Sequence, residues 1–246
     1  MQNMKIALIG YGAMGKLVHR LAEEKGHEIS VIVDETEADL SAADLAEKLN
    51  ASDVAIDFTS AEAVRRNVEA CLAAGVPLVE GTTGWNDYED EIEKIVRDAN
   101  GAMVFAANFS IGVNLFYYIA TLSADVLQWF PEYEIFIEEQ HHSRKKDAPS
   151  GTALEIKRIV TEYTEYKETE VLIASTRAGN IPGTHRLGFD GPADQILIQH
   201  MARSRDGFAQ GAIKAGEWLV GKKGFYNFQA VLEELIAERS QGQATG

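Results

Sequence analysis

Apolar positions in the first hundred residues come in short runs separated by helical repeats. Lys5–Ile9 is one such run, and it stops at a glycine turn, as a buried strand would. Over Ala13–Lys25 the residues Leu17, Val18 and Leu21 share one face, and Gly26 follows as a C-terminal stop, which predicts a helix. Ile29–Val33, Val54–Asp57, Val76–Val79 and Met103–Phe105 read as further strands. Ala61–Ala74, stopped by Gly75, and Asp87–Asp98 read as helices. Strands alternating with helices predict a parallel sheet covered on both faces.

The pattern changes after Ser110. A long, largely apolar helix is expected to about Trp129, then a strand at Glu134–Glu139, a histidine-rich loop and a helix over about Ser150–Tyr163. Val171–Arg177, Thr184–Phe189 and Gln195–Ala202 then read as strands joined by Gly- and Pro-containing loops. Strand following strand predicts an α+β region with a mostly antiparallel or mixed sheet. Helices are expected near Phe208–Val220 and Asn227–Ala237, before a polar tail, SQGQATG, expected to fray.

Composition narrows the class. The chain has 246 residues, enough for one large domain or two modest ones, with 46% hydrophobic and 25% charged residues. Its one cysteine, Cys71, lies in a helical pattern as a small core residue and allows no internal disulfide, which fits a reducing compartment. No apolar stretch approaches the about 18–20 residues that span a bilayer, and the N-terminus lacks a signal-peptide layout, so a cytoplasmic location is expected. A net charge of −15 disfavours nucleic acid and anionic membrane as partners. It would also repel an anionic substrate unless a site reverses the sign locally. The densest basic cluster is His141, His142, Arg144, Lys145 and Lys146.

Gly10-Tyr11-Gly12-Ala13-Met14-Gly15 forms a G-x-G-x-x-G element between the first strand and the first helix. The first glycine permits the tight turn, the second lets backbone approach a pyrophosphate, and the third lets helix pack on strand. The helix N-terminus supplies free amides and partial positive charge. Asp34, at the end of the second strand and 19 positions after Gly15, suits the adenosine ribose hydroxyls. With Glu35 beside it, it disfavours a 2′-phosphate, so NADH is expected to be preferred over NADPH. Two further loops follow strand ends: Gly81-Thr82-Thr83-Gly84 and Ala106-Ala107-Asn108-Phe109-Ser110. Each alone reads as an ordinary turn or cap; their shared location adds Gly81, Thr82, Thr83, Ala106, Ala107, Asn108 and Phe109 as candidate cofactor contacts.

The segment EEQHHSRKKDAPSGTA, Glu138–Ala153, is the candidate chemical centre. Ser150 or Thr152 can cap the following helix, and Thr152 with Glu155 fits a capping box. Amides at that helix start, with Lys145 nearby, would receive a carboxylate, and the histidines can move protons near neutral pH. A plain helix cap fits Ser150-Gly151-Thr152 equally well. A metal at His141-His142 is not expected, since no cysteine or further histidine lies at useful spacing. Glu138 and Glu139 read as strand end, and Arg144 and Lys146 as surface charge.

These motifs resemble the dihydrodipicolinate reductase family, also called 4-hydroxy-tetrahydrodipicolinate reductase, of lysine and diaminopimelate biosynthesis. The resemblance runs through the glycine turn, DFTS (57–60), GTTG (81–84), AANFSIGVN (106–114), the segment 138–153, RAGNIPGTH (177–185) and FAQGAIKA (208–215). It departs in a glycine turn one residue shorter than a common form and in Gln140 where a small residue is usual. The resemblance implies a Rossmann-like dinucleotide-binding domain, residues 1–108 with 213–246, and an α+β substrate-binding domain with a mixed sheet, residues 109–212, whose sheet builds a homotetramer. It implies NAD(P)H-dependent reduction of a small dicarboxylate, 4-hydroxy-tetrahydrodipicolinate, with loss of water, hydride going to ring C4 and a proton to C3. It implies His141 and Lys145 as proton-transfer residues, expected on a loop. His142, Ser150, Gly151 and Thr152 are the candidate substrate contacts, with His142, Gly151 and Thr152 matched by the family. Another Rossmann oxidoreductase acting on an amino-acid-like substrate, or a non-catalytic dinucleotide sensor, are the competing readings.

Overall fold

In the computed structural model, which describes residues 3–167 and 169–243, strands and helices follow the sequence pattern closely at first. They run β1 (Lys5–Ile9), α1 (Ala13–Glu24), β2 (Glu28–Val33), α2 (Ala42–Leu49), β3 (Val54–Asp57), α3 (Ala61–Ala74), β4 (Leu78–Glu80), α4 (Glu89–Asp98) and β5 (Ala102–Phe105). Then come α5 (Ile111–Leu127), β6 (Glu134–His141), α6 (Gly151–Glu162), β7 (Leu172–Arg177), β8 (Thr184–Asp190), β9 (Gln195–Met201), α7 (Asp206–Leu219), β10 (Gly224–Asn227) and α8 (Phe228–Gln243). The chain divides into two units, Met1–Ser110 with Phe208–Gly246 and Ile111–Gly207.

The first unit holds a six-stranded sheet in the order β10-β5-β4-β3-β1-β2, parallel throughout. The order reverses between β1 and β3, so the loops after these strands, Gly10–Gly15 and Phe58–Ser60, open at the topological switch point where α/β sheets bind ligands. Ala7, Ile9, Leu45, Val64, Val68, Cys71 and Leu78 are buried together in its core, which places Cys71 as expected. Two elements had no signal in the periodicity. α2 is short, and Ser41 caps it by accepting from the Asp44 amide. β10 is an edge strand that exists by pairing with β5, distant in sequence. The tail is also corrected: α8 continues to Gln243, through the first four residues expected to fray, while 244–246 lie outside the described residues. The backbone of α7 presses on the loop after β5, for a Cβ on Gly211 would lie 1.7 Å from the Phe109 carbonyl oxygen. That contact explains why α7 groups with this unit from Phe208 onward.

The second unit is a four-stranded mixed sheet, β7-β6-β8-β9. β6 is parallel to β7 across the α6 connection and antiparallel to β8, which pairs antiparallel with β9. α5 and α6 cover one face, burying Phe116, Tyr117, Ala120, Ile156, Ile159 and Val160 against Ile135, Ile137, Leu187 and Phe189. Leu172, Leu197 and Met201 remain exposed on the edge strands. Among the described residues, no helix is long and apolar enough to cross a membrane.

Candidate active site and dinucleotide site

Residues of β6 alternate between at least partly exposed and buried. Ile135 and Ile137 point into the core; two and four residues further on, the same face carries Glu139 and His141, both buried. His141 is thus the last residue of β6 rather than part of a loop, because pairing with β7 continues to His141↔Arg177. Lys145 does lie in the following turn, its amide donating to the His142 carbonyl at 3.1 Å. Glu139, expected to be plain strand end, is the hub of this face. Its Oε2 accepts from His141 Nδ1, and its Oε1 accepts from Arg177 Nη2 at 2.6 Å. Arg177 also donates to the Asp147 carbonyl at 2.6 Å. Lys145 Nζ contacts Asp147 Oδ2 at 2.8 Å.

The charge states follow from these contacts. Burial pushes the Glu139 carboxyl up, but hydrogen bonds from Arg177, Ser175 and His141 override it and bring it down to about 2. It is therefore an anion that only accepts. Burial lowers His141, and the positive charges of Lys145 and Arg177 add to that against the opposing pull of Glu139. A neutral imidazole with Nδ1 facing a carboxylate keeps its proton on Nδ1, leaving the Nε2 lone pair free. Gly183 borders that nitrogen, where a Cβ would come within 3.1 Å of it. His185 packs edge-on against His141 with ring centroids 5.0 Å apart, and burial, with the neighbouring His141, lowers it to about 4.

α6 begins beside this network. Ser150 is its N-cap, accepting from the Ala153 amide at 3.2 Å and contacting His185 Nε2 at 3.1 Å. The expected Thr152–Glu155 box does not form: Glu155 pairs with Arg158, and the Thr152 hydroxyl meets Tyr117. The hydroxyls of Ser150 and Thr152 thus already have protein partners. The amides of Gly151 and Thr152, first in the helix, have no intrahelical acceptor by helix geometry. His142 Nδ1 is buried with no partner among the described residues. The fold also brings a third group, His185, to Glu139 and His141, with ligand atoms within 4.8 Å of one another, a closeness that spacing along the chain conceals. Both Glu139 oxygens are committed, one to a guanidinium and one to an imidazole, so the cluster works as a hydrogen-bond network.

In the first unit the glycine turn has the form its motif predicts. Gly10 has φ +88°, and a Cβ there would lie 2.5 Å from the Phe58 carbonyl oxygen; a Cβ on Gly15 would lie 2.1 Å from the Gly10 oxygen. Nothing lies within 4 Å of a Cβ position on Gly12, which leaves open space beside its backbone. α1 has neither a side-chain cap nor an acidic residue in its first turn, leaving its amides and dipole for an anion. Gly12 and Ala13 are exposed, Met14 is half-buried, and the Tyr11 hydroxyl bonds His19 Nδ1 at 2.8 Å. These residues fit a dinucleotide pyrophosphate. Asp34 is exposed, its carboxyl lowered by hydrogen bonds from the Thr36 hydroxyl and amide. Thr82 is buried and accepts from the Thr59 amide at 3.1 Å, whereas Thr83 is exposed and Gly81 half-buried. Asn108 Oδ1 accepts from the Ser110 amide, with Ala106 half-buried and Ala107 exposed beside it. The Phe109 ring is core, 4.9 Å from Phe228, so its contribution to a site is its backbone.

Two family models match the chain, "Dihydrodipicolinate reductase, N-terminus" over residues 4–109 and "Dihydrodipicolinate reductase, C-terminus" over residues 112–232. The chain belongs to the dihydrodipicolinate reductase family. A 4-hydroxy-tetrahydrodipicolinate reductase of Christiangramia forsetii is 36% identical over 95% of this chain and 99% of its own length. One from Archaeoglobus fulgidus is 35% identical over 94% of this chain and 100% of its own length. A solved dipicolinate-bound dihydrodipicolinate reductase from Paenisporosarcina shares the fold at a TM-score of 0.76 and 22% identity, covering 94% of this chain and all of that one. Membership in the dihydrodipicolinate reductase family confirms the Rossmann-like and mixed-sheet architecture and sets aside the amino-acid dehydrogenase and sensor readings. The N-terminal domain of this family is a dinucleotide-binding domain, which supports a nicotinamide cofactor. Sequence reasoning missed Glu139, Arg177 and His185; the available signal for Glu139 was its two-residue spacing from His141.

Proposed function

We propose that this reductase converts the dianion of 4-hydroxy-tetrahydrodipicolinate to tetrahydrodipicolinate with loss of water, within lysine and diaminopimelate biosynthesis. The observation that carries the reading is the buried Glu139–His141 pair beside Lys145 and the start of α6. The amides of Gly151 and Thr152, the α6 dipole and the Lys145 ammonium form a receiver for a carboxylate in a chain of net charge −15. The unpartnered His142 Nδ1 offers a further polar contact. The Gly10–Gly15 turn, Asp34 and the loops at 81–83 and 106–109 would hold a reduced nicotinamide dinucleotide, which would supply the hydride for ring C4. Lys145 then donates the proton to C3, and His141, held by Glu139, tunes or relays it. Following NADH absorbance with aspartate semialdehyde, pyruvate and the preceding synthase tests the reaction; no substrate-dependent oxidation would refute it.

NADH is the preferred donor in this reading. Asp34 is anionic, and Glu35 and Glu37 stand in the same turn, so a 2′-phosphate would meet like charge. kcat/KM is expected to be about tenfold or more higher with NADH than with NADPH, on the order of 1.4 kcal/mol of discrimination. A clear NADPH preference in parallel assays would overturn this. The active form is a cytoplasmic homotetramer built on the sheet face of Leu172, Leu197 and Met201, whose exposure suits a covered surface. Light scattering is expected to give the mass of four chains; the mass of one chain would refute the assembly.

A further inference from the structure

Beneath the dinucleotide loops lies a pair of acids that the proposed reaction does not use. Asp57 ends β3 and Glu80 ends β4, and they are register partners on parallel neighbouring strands. Both are fully buried, at 0% exposure. Each carboxyl has one oxygen satisfied: Asn67 Nδ2 donates to Asp57 Oδ2 at 2.5 Å, and the Thr82 amide donates to Glu80 Oε1 at 2.7 Å. The other two oxygens, Asp57 Oδ1 and Glu80 Oε2, are buried without a partner among the described residues. The two carboxyls lie within hydrogen-bonding reach of each other. Two carboxylates so close in a dry interior do not both ionise. One proton held between them leaves a single charge and gives each remaining oxygen its partner.

The surroundings tie this pair to three cofactor loops. Thr82, which donates to Glu80, accepts through its hydroxyl from the Thr59 amide at 3.1 Å, joining the GTTG and DFTS loops. Asn67, which donates to Asp57, accepts from Arg66 Nε at 3.0 Å and Nη2 at 2.8 Å. Arg66 also donates to the carbonyls of Ala38 and Leu40, in the segment that follows Asp34. Among the described residues a further ionisable neighbour is the Cys71 thiol on α3, pushed well up by burial and then by Asp57 and Glu80. β5 is apolar, and the one charged residue of β1, Lys5, stands at the opposite end of its strand.

We infer that the Asp57–Glu80 pair positions the dinucleotide site, its one shared proton holding the 57–60 and 81–84 loops together, so that cofactor affinity falls when that proton is lost. This rests on reading the first unit as the holder of a nicotinamide dinucleotide. Burial raises both carboxyls, Glu80 well above its ordinary range. A raised acid contributes stability that is full below the ordinary carboxylate range and is lost as pH rises through the raised value. Glu80→Gln keeps an acceptor for the Thr82 amide and places an N–H where the shared proton sits, so it removes the titration and keeps the contacts.

NADH binding, read from protein fluorescence without turnover, is expected to weaken about tenfold as pH rises through the loss of that shared proton in the natural protein and less than about twofold over the same range in Glu80→Gln. The Tm without cofactor is expected to fall over the same range in the natural protein and to stay flat in Glu80→Gln. Infrared spectra should show the C=O band of a buried protonated carboxyl that Glu80→Gln and Asp57→Asn both remove. Parallel pH slopes in the natural protein and Glu80→Gln, or no such band in the natural protein, would overturn the inference. The band is measured on the unaltered chain, so it decides the matter even if a variant misfolds. A band with no NADH binding at any pH would instead refute the dinucleotide reading, and the positioning role with it.

Discussion

Lys145→Ala is expected to lower kcat by about 10²-fold or more while leaving NADH affinity unchanged. Its side chain is 24% exposed, with Nζ 2.8 Å from Asp147 Oδ2, and its charge is felt at His141. The Asp147 carboxylate is more than half exposed, a setting in which an ion pair is weak, so the ammonium can leave it for an incoming carboxylate. Lys145 then has two duties, as the cation that meets the dianion and as the acid that supplies a proton at C3. Alanine removes both and should raise KM as well as lower kcat. Lys145→Arg separates them, because a guanidinium keeps the charge but does not give up a proton near neutral pH. The arginine variant is expected to recover KM and not kcat in steady-state assays that follow NADH absorbance. Turnover near the natural value in either variant would remove Lys145 from the proton-donor role.

The first unit was legible because its signals are local. Lys5–Ile9 running into Gly10, with Asp34 one strand later, reports strand, turn and helix within a few dozen residues. Apart from the short helix α2, what escaped depends on partners far away in sequence. β10 is four residues long and becomes a strand through β5, more than a hundred residues earlier. His185 joins the site because β8 pairs with β6 in the register Glu139↔His185, which no spacing along the chain reveals. Glu139 had a local signal that hydrophobicity conceals. It continues the inward alternation of Ile135 and Ile137, yet a glutamate in a strand reads as an outward residue until Arg177 is known to lie beside it. The same holds for Asp57 and Glu80: each ends an apolar strand, and their closeness exists only across β3 and β4.

Glu139→Gln is expected to lower kcat by about 10²-fold, and the reason lies in the tautomer of His141. In the natural protein Oε1 accepts from Arg177 and Oε2 accepts from His141 Nδ1. A glutamine amide has one acceptor oxygen and one donor nitrogen. Arg177 can only donate, so the oxygen must face it, which turns the NH2 toward His141. Nδ1 then has to accept, and the ring proton moves to Nε2, the nitrogen beside Gly183 that is otherwise free to take one. The substitution also deletes the anion that raises His141 against its burial. The ionisation of His141 should therefore shift further down, and the acid limb of the kcat/KM profile with it. A purely structural role predicts something else: a lower Tm, from a guanidinium left without its carboxylate, with the limb in its original place. Glu139→Asp, which keeps the charge and two acceptors, is expected to recover part of kcat and return the limb toward its natural position. An unmoved acid limb in Glu139→Gln, with kcat within about threefold of the natural protein, would show that Glu139 holds the strand rather than the histidine.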